Sequence, residues 1–296
     1  RRAIVLFQLK SFSQSKSKLT ITIHTETMKI NKVHLITFSP TRTSLRIGKA
    51  IANGIGAEEL VVSDFTHSDK QESEIKENDL AVISLPVYGG HIAPMAKKRI
   101  DSVKGCGTPA VVIAVYGNRD YEMALHEMAE YCSGHGFKVV AAGIFVGEHS
   151  YSTQLTPIAV GRPDADDEEC ARQFGVAIRQ KMESSENAED LSVVDVNDIE
   201  RPKQDAEAVS RFKSTVAGWV KDGMIKPSVP EVDSSRCNGC GVCVGVCPTA
   251  AISEDDVAVV SVDRCIKCCA CVKECPEHAR SLSTPFARLL ADNFKE

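Results

Sequence analysis

Two stretches of this chain carry one arrangement of thiols. CNGCGVCVGVCP, residues 237–248, is followed 28 positions later by CIKCCACVKECP, residues 265–276. Both read C-x2-C-x2-C-x3-C-P, at Cys237, Cys240, Cys243 and Cys247 and again at Cys265, Cys268, Cys271 and Cys275. Thiolates are soft anionic donors. Three at this spacing curl round a single iron–sulfur cubane, while the fourth, set before proline, reaches across to the other cluster. The spacing therefore predicts two 4Fe–4S clusters. Cys237, Cys240, Cys243 and Cys275 hold the first; Cys265, Cys268, Cys271 and Cys247 hold the second. Pro248 and Pro276 keep the local turn from running on as a helix that would carry the fourth thiol away. Zinc sites usually split their ligands into two C-x2-C pairs across a longer loop. Four cysteines within eleven residues, twice, fit that poorly. Cys269 lies outside the spacing and reads as a small buried hydrophobe.

The period of 28 extends past the thiols, since Ser253 falls opposite Ser281. This marks an internal duplication about an approximate twofold. Gly239, Gly241 and Gly245 let backbone N–H groups approach the sulfurs of the first block, which tunes potential. Lys267, Ala270 and Glu274 stand in their place in the second. On these motifs the segment 232–284 resembles bacterial-type ferredoxins with two 4Fe–4S clusters.

Upstream lies a second group of residues suited to chemistry. SPTRTS, Ser39 to Ser44, is a turn of hydroxyls opening onto a helix. Ser39, Thr41, Thr43 and Ser44, with backbone N–H groups, the helix dipole and Arg42, suit a phosphate monoester. Ser and Thr before a helix are also ordinary caps. Two further loops point to a flat ring. LPVYGGHIAP offers Pro86, Val87, Tyr88, Gly89 and Gly90; VYGNRDYE offers Tyr116, Gly117, Asn118 and Arg119. Glycine loops bring N–H groups close, and Tyr88 or Tyr116 can stack or simply pack as half-buried aromatics. No G-x-G-x-x-G and no Walker loop occurs. His91 and His149 fall near these loops, as proton donors or as packing residues. Arg162 and Asp164 of GRPD read as part of the site or, more simply, as a helix start.

The elements that must position these loops alternate. Strands are expected at 33–38, 58–65, 79–86, 109–117 and 137–147. Helices are expected near 44–55, 94–103, 121–136 and 167–183. Apolar β-branched runs alternating with amphipathic helices predict an α/β fold, a doubly wound parallel five-stranded sheet covered on both faces. All three loops then leave the carboxyl ends of strands, where such sheets bind ligands. Residues 185–231 form an acidic linker and a connecting helix whose Phe212 and Trp219 pack the domains together. The small α+β ferredoxin domain follows at 232–284, and a C-terminal helix at 285–296.

With those loops in place, residues 28–184 resemble flavodoxin. SPTRTS is similar to that family's S/T-x-T-G-x-T phosphate loop at Ser39, Thr41 and Ser44, with Arg42 at the family's glycine. The whole of 29–290 resembles the flavodoxin–ferredoxin fusion proteins of anaerobes, with GEHSYS (147–152) and GRPDADD (161–167) similar to late signatures of that family. The resemblance implies a noncovalent FMN beside the two clusters. It also implies redox partner proteins as donor and acceptor, with electrons relayed between clusters and flavin. A side chain at Arg42 costs roughly 1 kcal/mol if that position takes positive φ. This favours an alternative, an iron–sulfur carrier whose flavodoxin-like domain has lost FMN and docks partners. A third reading is an enzyme with a dedicated acceptor over the flavin; no acid–base constellation selects one.

Bulk properties fit. A chain of 296 residues with 43% hydrophobic content suffices for one large domain and one small one. Nine of twelve cysteines are confined to one end, which points to metal in a reducing compartment rather than a disulfide scaffold. Cys106, Cys132 and Cys170 lack ligand spacing and read as structural. A net charge of −5 offers no basic stripe, so no nucleic acid is expected. No run of eighteen apolar residues suggests a membrane span. Residues 1–27 are basic and Ser-rich. They read as an upstream extension or as a transit peptide. The location expected is cytoplasmic, or an organelle matrix under the second reading.

Overall fold

LAVISLPVY, TPAVVIAVY and FKVVAAGIFV are nearly continuous apolar runs, the mark of strands buried on both faces. The computed structural model describes residues 28–67 and 73–295; the reading of residues 1–27 lies outside them. The larger unit holds β1 (Lys32–Thr37), α1 (Thr43–Ile55), β2 (Glu59–Asp64), β3 (Ser73–Ile75), β4 (Leu80–Tyr88), β5 (His91–Ile92), α2 (Pro94–Ile100), β6 (Val103–Gly105), β7 (Thr108–Tyr116), α3 (Ala124–Gly134), β8 (Phe137–Val146) and α4 (Ala165–Glu183).

The long strands run parallel in the order β2-β1-β4-β7-β8. That is the doubly wound order of flavodoxin-like sheets, with its switch point between β1 and β4. One core fills the face shared by α2 and α3, around Phe38, Ile83, Val112 and Met128. The other fills the face under α1 and α4, around Leu35, Ile51, Ile113 and Phe174. The two helices on that face cross closely, because Gly54 and Gly175 lie at the crossing. A Cβ on Gly54 would sit 1.9 Å from the Arg172 carbonyl oxygen.

Three features depart from expectation. The sheet has a sixth strand: β5 adds two antiparallel residues to β4. A separate parallel pair joins β3 to β6. Both are too short to give a period. The third departure is the acidic linker, which is a packed strap. Ala188, Leu191, Val196 and Ile199 are buried, the Val194 N–H donates to the Val139 carbonyl (3.0 Å), and the Tyr121 hydroxyl donates to the Ile199 carbonyl (2.9 Å). Four spaced apolar residues suffice to hold a segment whose composition is otherwise that of a solvated chain.

Helix α5 (Ala206–Lys221) leads to the cysteine module of β9 (Glu231–Val232), α6 (Val242–Gly245), α7 (Ala270–Lys273) and β10 (Arg280–Ser281), and α8 (Pro285–Phe294) ends the described chain. The period of 28 is written into the backbone. Val232 pairs with Arg280, and the bridge Ile252↔Val260 is the same pair one period on. Positive φ recurs at Gly239 and Lys267 (72° and 55°), Gly241 and Cys269 (73° and 58°), and Ala250 and His278 (48° and 47°). This corrects two of the expected correspondences: Cys269 and Lys273, not Ala270 and Glu274, stand opposite Gly241 and Gly245.

The module is tied to the α/β unit by named contacts. Arg99 donates to the carbonyls of Phe65 (3.0 Å) and Pro248 (2.6 Å), and Lys273 pairs with Glu148 at 2.7 Å. Phe212 of α5 meets Phe294 of α8 edge-on at 5.5 Å, and Trp219 meets Phe286 at 5.4 Å.

Candidate functional site

The carboxyl ends of β1, β4, β7 and β8 open onto one cavity of about 320 Å³, a volume in the range of cofactor sites. Of the residues read as cofactor-binding, Ser39, Thr41, Thr43, Pro86, Val87, Tyr88, Gly89, Gly90, Tyr116, Gly117 and Arg119 line it. Arg42, Ser44 and Asn118 do not. Arg42 is exposed at the N-cap of α1 with φ +64°, so the position does take the left-handed backbone, and its own side chain does not cap the helix. The Asn118 amide donates to the Phe294 carbonyl (2.9 Å), so it fastens α8 rather than facing the cavity.

The phosphate-type loop is built by its own backbone. The Arg42 N–H donates to the Ser39 carbonyl (2.9 Å), the Leu45 N–H to the Ser39 hydroxyl (3.1 Å), and the Ser39 N–H to the Thr66 hydroxyl (2.7 Å). Ser44 is fully buried in the first turn of α1, and its hydroxyl meets no partner among the described residues. An unsatisfied buried hydroxyl is unfavourable. Here it lies beside a helix N-terminus whose first N–H groups have no partner in the helix. On this donor set the loop fits a phosphate ester.

The loop after β8 supplies much of the wall that was not read as cofactor-binding: Gly147, Glu148, His149, Ser150 and Tyr151. GEHSYS was singled out, and only His149 was placed near the site. The His149 ring packs on Gly117, where a Cβ would lie 2.3 Å from it. Its Nδ1 accepts the Tyr151 N–H (3.0 Å), which puts the ring proton on Nε2. Burial, with Lys273 and Arg119 nearby, pushes His149 down to about 4. The ring is therefore a neutral N–H donor at neutral pH, not an imidazolium. His91 stands apart, bonded to Glu127 at 2.6 Å and outside the wall. Arg162 is committed to Asp167, and Asp164 caps α4 in a reciprocal box with Asp167, which is the helix-start reading of GRPD. Cys106 is exposed, and burial pushes the Cys132 thiol up to about 12.

The roof comes from outside the α/β unit. Phe212 of α5, Phe286 and Leu290 of α8, and Ile266 and Lys267 of the cysteine module close the cavity. Phe212 was read as a domain-packing residue, and it packs while covering the site. No local pattern marks the other four. Only the fold brings them over the strand ends.

The cysteines gather into two sets. Cys237, Cys240, Cys243 and Cys275 ring one small cavity, and Cys247, Cys265, Cys268 and Cys271, with Cys269, ring a second. The last thiol of each run thus crosses to the other set. Among the described residues no three Cys, His, Asp or Glu side chains converge as a single ion requires; each set of thiols stands round a space. The N–H of Ala251 donates to the Cys247 sulfur (3.2 Å) and that of Ala279 to the Cys275 sulfur (3.3 Å), one period apart. Arg280 lines the first of these cavities. It is buried, and two of its nitrogens have no partner among the described residues. A buried guanidinium beside four thiols fits an anionic group held between them.

The second thiol cavity and the strand-end cavity share a wall residue, Ile266. Tyr88 and Tyr151 lie on the same side. Burial and then the nearby Cys268 and Cys269 push the Tyr88 hydroxyl well up; burial and then Cys269 push Tyr151 up to about 12.

Residues 230–253 match the family model described as a 4Fe-4S binding domain. No curated protein matches the chain. Among solved structures, a flavodoxin from the domain Archaea is 19% identical, with 51% of this chain and 98% of that one covered and a TM-score of 0.38. The two-electron reduced flavodoxin of Megasphaera elsdenii is 13% identical, covering 50% and 98%, with a TM-score of 0.34. An NADH:FMN oxidoreductase in its apo form is 13% identical, covering 52% and 91%, with a TM-score of 0.38. Among the described residues no helix is long and apolar enough to cross a membrane. By its sheet order the larger unit has a flavodoxin-like α/β fold, and it is joined to a cysteine module of which residues 230–253 match a 4Fe-4S binding domain.

Proposed function

We propose that this protein transfers electrons between two 4Fe–4S clusters and a noncovalent FMN. Cys237, Cys240, Cys243 and Cys275 hold one cluster; Cys247, Cys265, Cys268 and Cys271 hold the other. Ser39, Thr41, Thr43 and the first N–H groups of α1 take the FMN phosphate. The 86–90 and 116–119 loops take the ring, with His149 offering its Nε2–H from the side. When bound, the clusters exchange single electrons and the flavin one or two, so the chain joins one-electron carriers to two-electron chemistry.

The observation that carries this reading is Ile266, which lines both the second thiol cavity and the strand-end cavity. The two sites therefore adjoin at this side chain. Phe212, Phe286 and Leu290 line the cavity from above the ring site. Arg119 is held by Glu122 at 2.5 Å and lies over Phe212 at 5.1 Å, which ties the roof to the loop after β7. The reading in which the α/β domain has lost its flavin rested on Arg42. That residue is exposed and does not line the cavity.

The test is Cys268→Ala, with a reduced ferredoxin as a donor too large to enter the roofed cavity. The flavin content should be unchanged, and flavin reduction in stopped flow should slow at least tenfold. Equal rates in variant and wild type would remove the second cluster from the route.

A further inference from the structure

We propose that Arg280 separates the two clusters in potential, making the cluster held by Cys237, Cys240, Cys243 and Cys275 the stronger electron acceptor. The inference rests on the two-cluster reading above and goes beyond it.

Arg280 is 4% exposed. Nη2 donates to the Val257 carbonyl, while Nε and Nη1 have no partner among the described residues. A guanidinium stays charged, so this is a buried cation with two unused donors. It lines the first thiol cavity. The other charged side chain on that wall, Glu277, accepts the Asn238 amide at 2.9 Å from an exposed position. The missing counter-charge therefore comes from what the four thiolates hold. A cubane with four thiolates is anionic, and gains one more negative charge on reduction.

The duplication supplies an internal control. One period back from Arg280 stands Ile252, equally buried at 4%, on the wall of the second thiol cavity. One point of the fold thus carries a cation on the wall of the first cavity and a hydrocarbon on the wall of the second, although that cation also reaches Cys271 of the second set. The amide donors do not distinguish the sets, since Ala251 and Ala279 serve the Cys247 and Cys275 sulfurs alike. Lys267 lies near the second set but is only half-buried, so solvent screens it more. A buried positive charge favours the reduced cluster beside it. One electron leaving the second cluster then settles on the first, with no proton moved. The first set also contains Cys240, which is exposed, so the charge accumulates where a partner protein can reach it.

The test is an anaerobic redox titration of the full chain, followed by EPR, on wild type, Arg280→Ile, Arg280→Gln and Arg280→Lys. Wild type should show two separated one-electron steps. Arg280→Ile copies the residue of the other repeat, and Arg280→Gln keeps a neutral donor for the Val257 carbonyl should the Ile variant fail to load. Either should lower the equilibrium constant of the upper step at least tenfold, about 59 mV for one electron. The lower step should move less than the upper, since Arg280 lines the first cavity and reaches the second set only at Cys271, and Arg280→Lys should keep most of the separation. Two loaded clusters whose upper step does not move in the Gln variant would overturn the inference and leave the parent reading intact. A wild-type preparation without iron and sulfide would overturn both.

Discussion

His149 gives the α/β domain a pH dependence whose sign and size follow from its surroundings. Its Nδ1 accepts the Tyr151 N–H, and its ring is packed against Gly117, so the folded chain holds it neutral. Burial first, then Lys273 and Arg119, lower it from 6.5 to about 4. The unfolded chain therefore binds a proton there more readily, and stability is complete above pH 6.5 and lost as pH falls toward 4. Between pH 7.5 and 5.5 the loss is about 1.4 kcal/mol, from the linkage relation at roughly 1.4 kcal/mol per unit. For a domain of this size that is a fall in Tm of roughly 3–6 °C. His149→Asn keeps an acceptor for the Tyr151 N–H and removes the titration. The assay is the Tm of wild type and variant in matched buffers at the two pH values. The Asn variant should lose that much less than wild type on acidification. Parallel curves would show that His149 titrates normally and that its ring is not held as described.

Two further substitutions probe the ring and phosphate loops. Arg42→Gly relieves a side chain at φ +64° that lines no cavity; relief of about 1 kcal/mol, less the extra freedom of glycine in the unfolded chain, leaves a small net gain. The urea midpoint should rise slightly with flavin affinity unchanged, and a fall in affinity would give Arg42 a binding role. Gly117→Ala puts a Cβ 2.3 Å from the His149 ring; overpacking of this kind costs about 1–3 kcal/mol. Weaker flavin binding and a lower Tm should appear together, and an unchanged Tm would mean that the loop yields freely.

What was legible in the sequence was local. Ligand spacing is a property of a few consecutive residues, so the thiols could be sorted into two crossed sets before any fold was known. Strand and helix periods are local too. They gave the parallel sheet and hence the three loops at its carboxyl ends. The roof was not legible, because Ile266, Lys267, Phe286 and Leu290 reach the strand ends only through long-range packing of two units. Asn118 looked like a ring ligand from its neighbours Gly117 and Arg119, yet its amide serves the end of α8. The strap at 188–199 was hidden by its acids, since composition averages over the few apolar residues that anchor it. Arg280 gave no signal at all. Its meaning depends on two donors left without a partner among the described residues and on its position opposite Ile252.

The central claim, that two iron–sulfur centres and a flavin reside in one chain, is tested most directly by counting them. Iron, acid-labile sulfide and acid-released flavin should be measured on one anaerobic preparation, normalised to protein. The account predicts iron and sulfide sufficient for two cubanes and one FMN per chain. Zinc in place of iron and sulfide, or clusters without flavin, would contradict it.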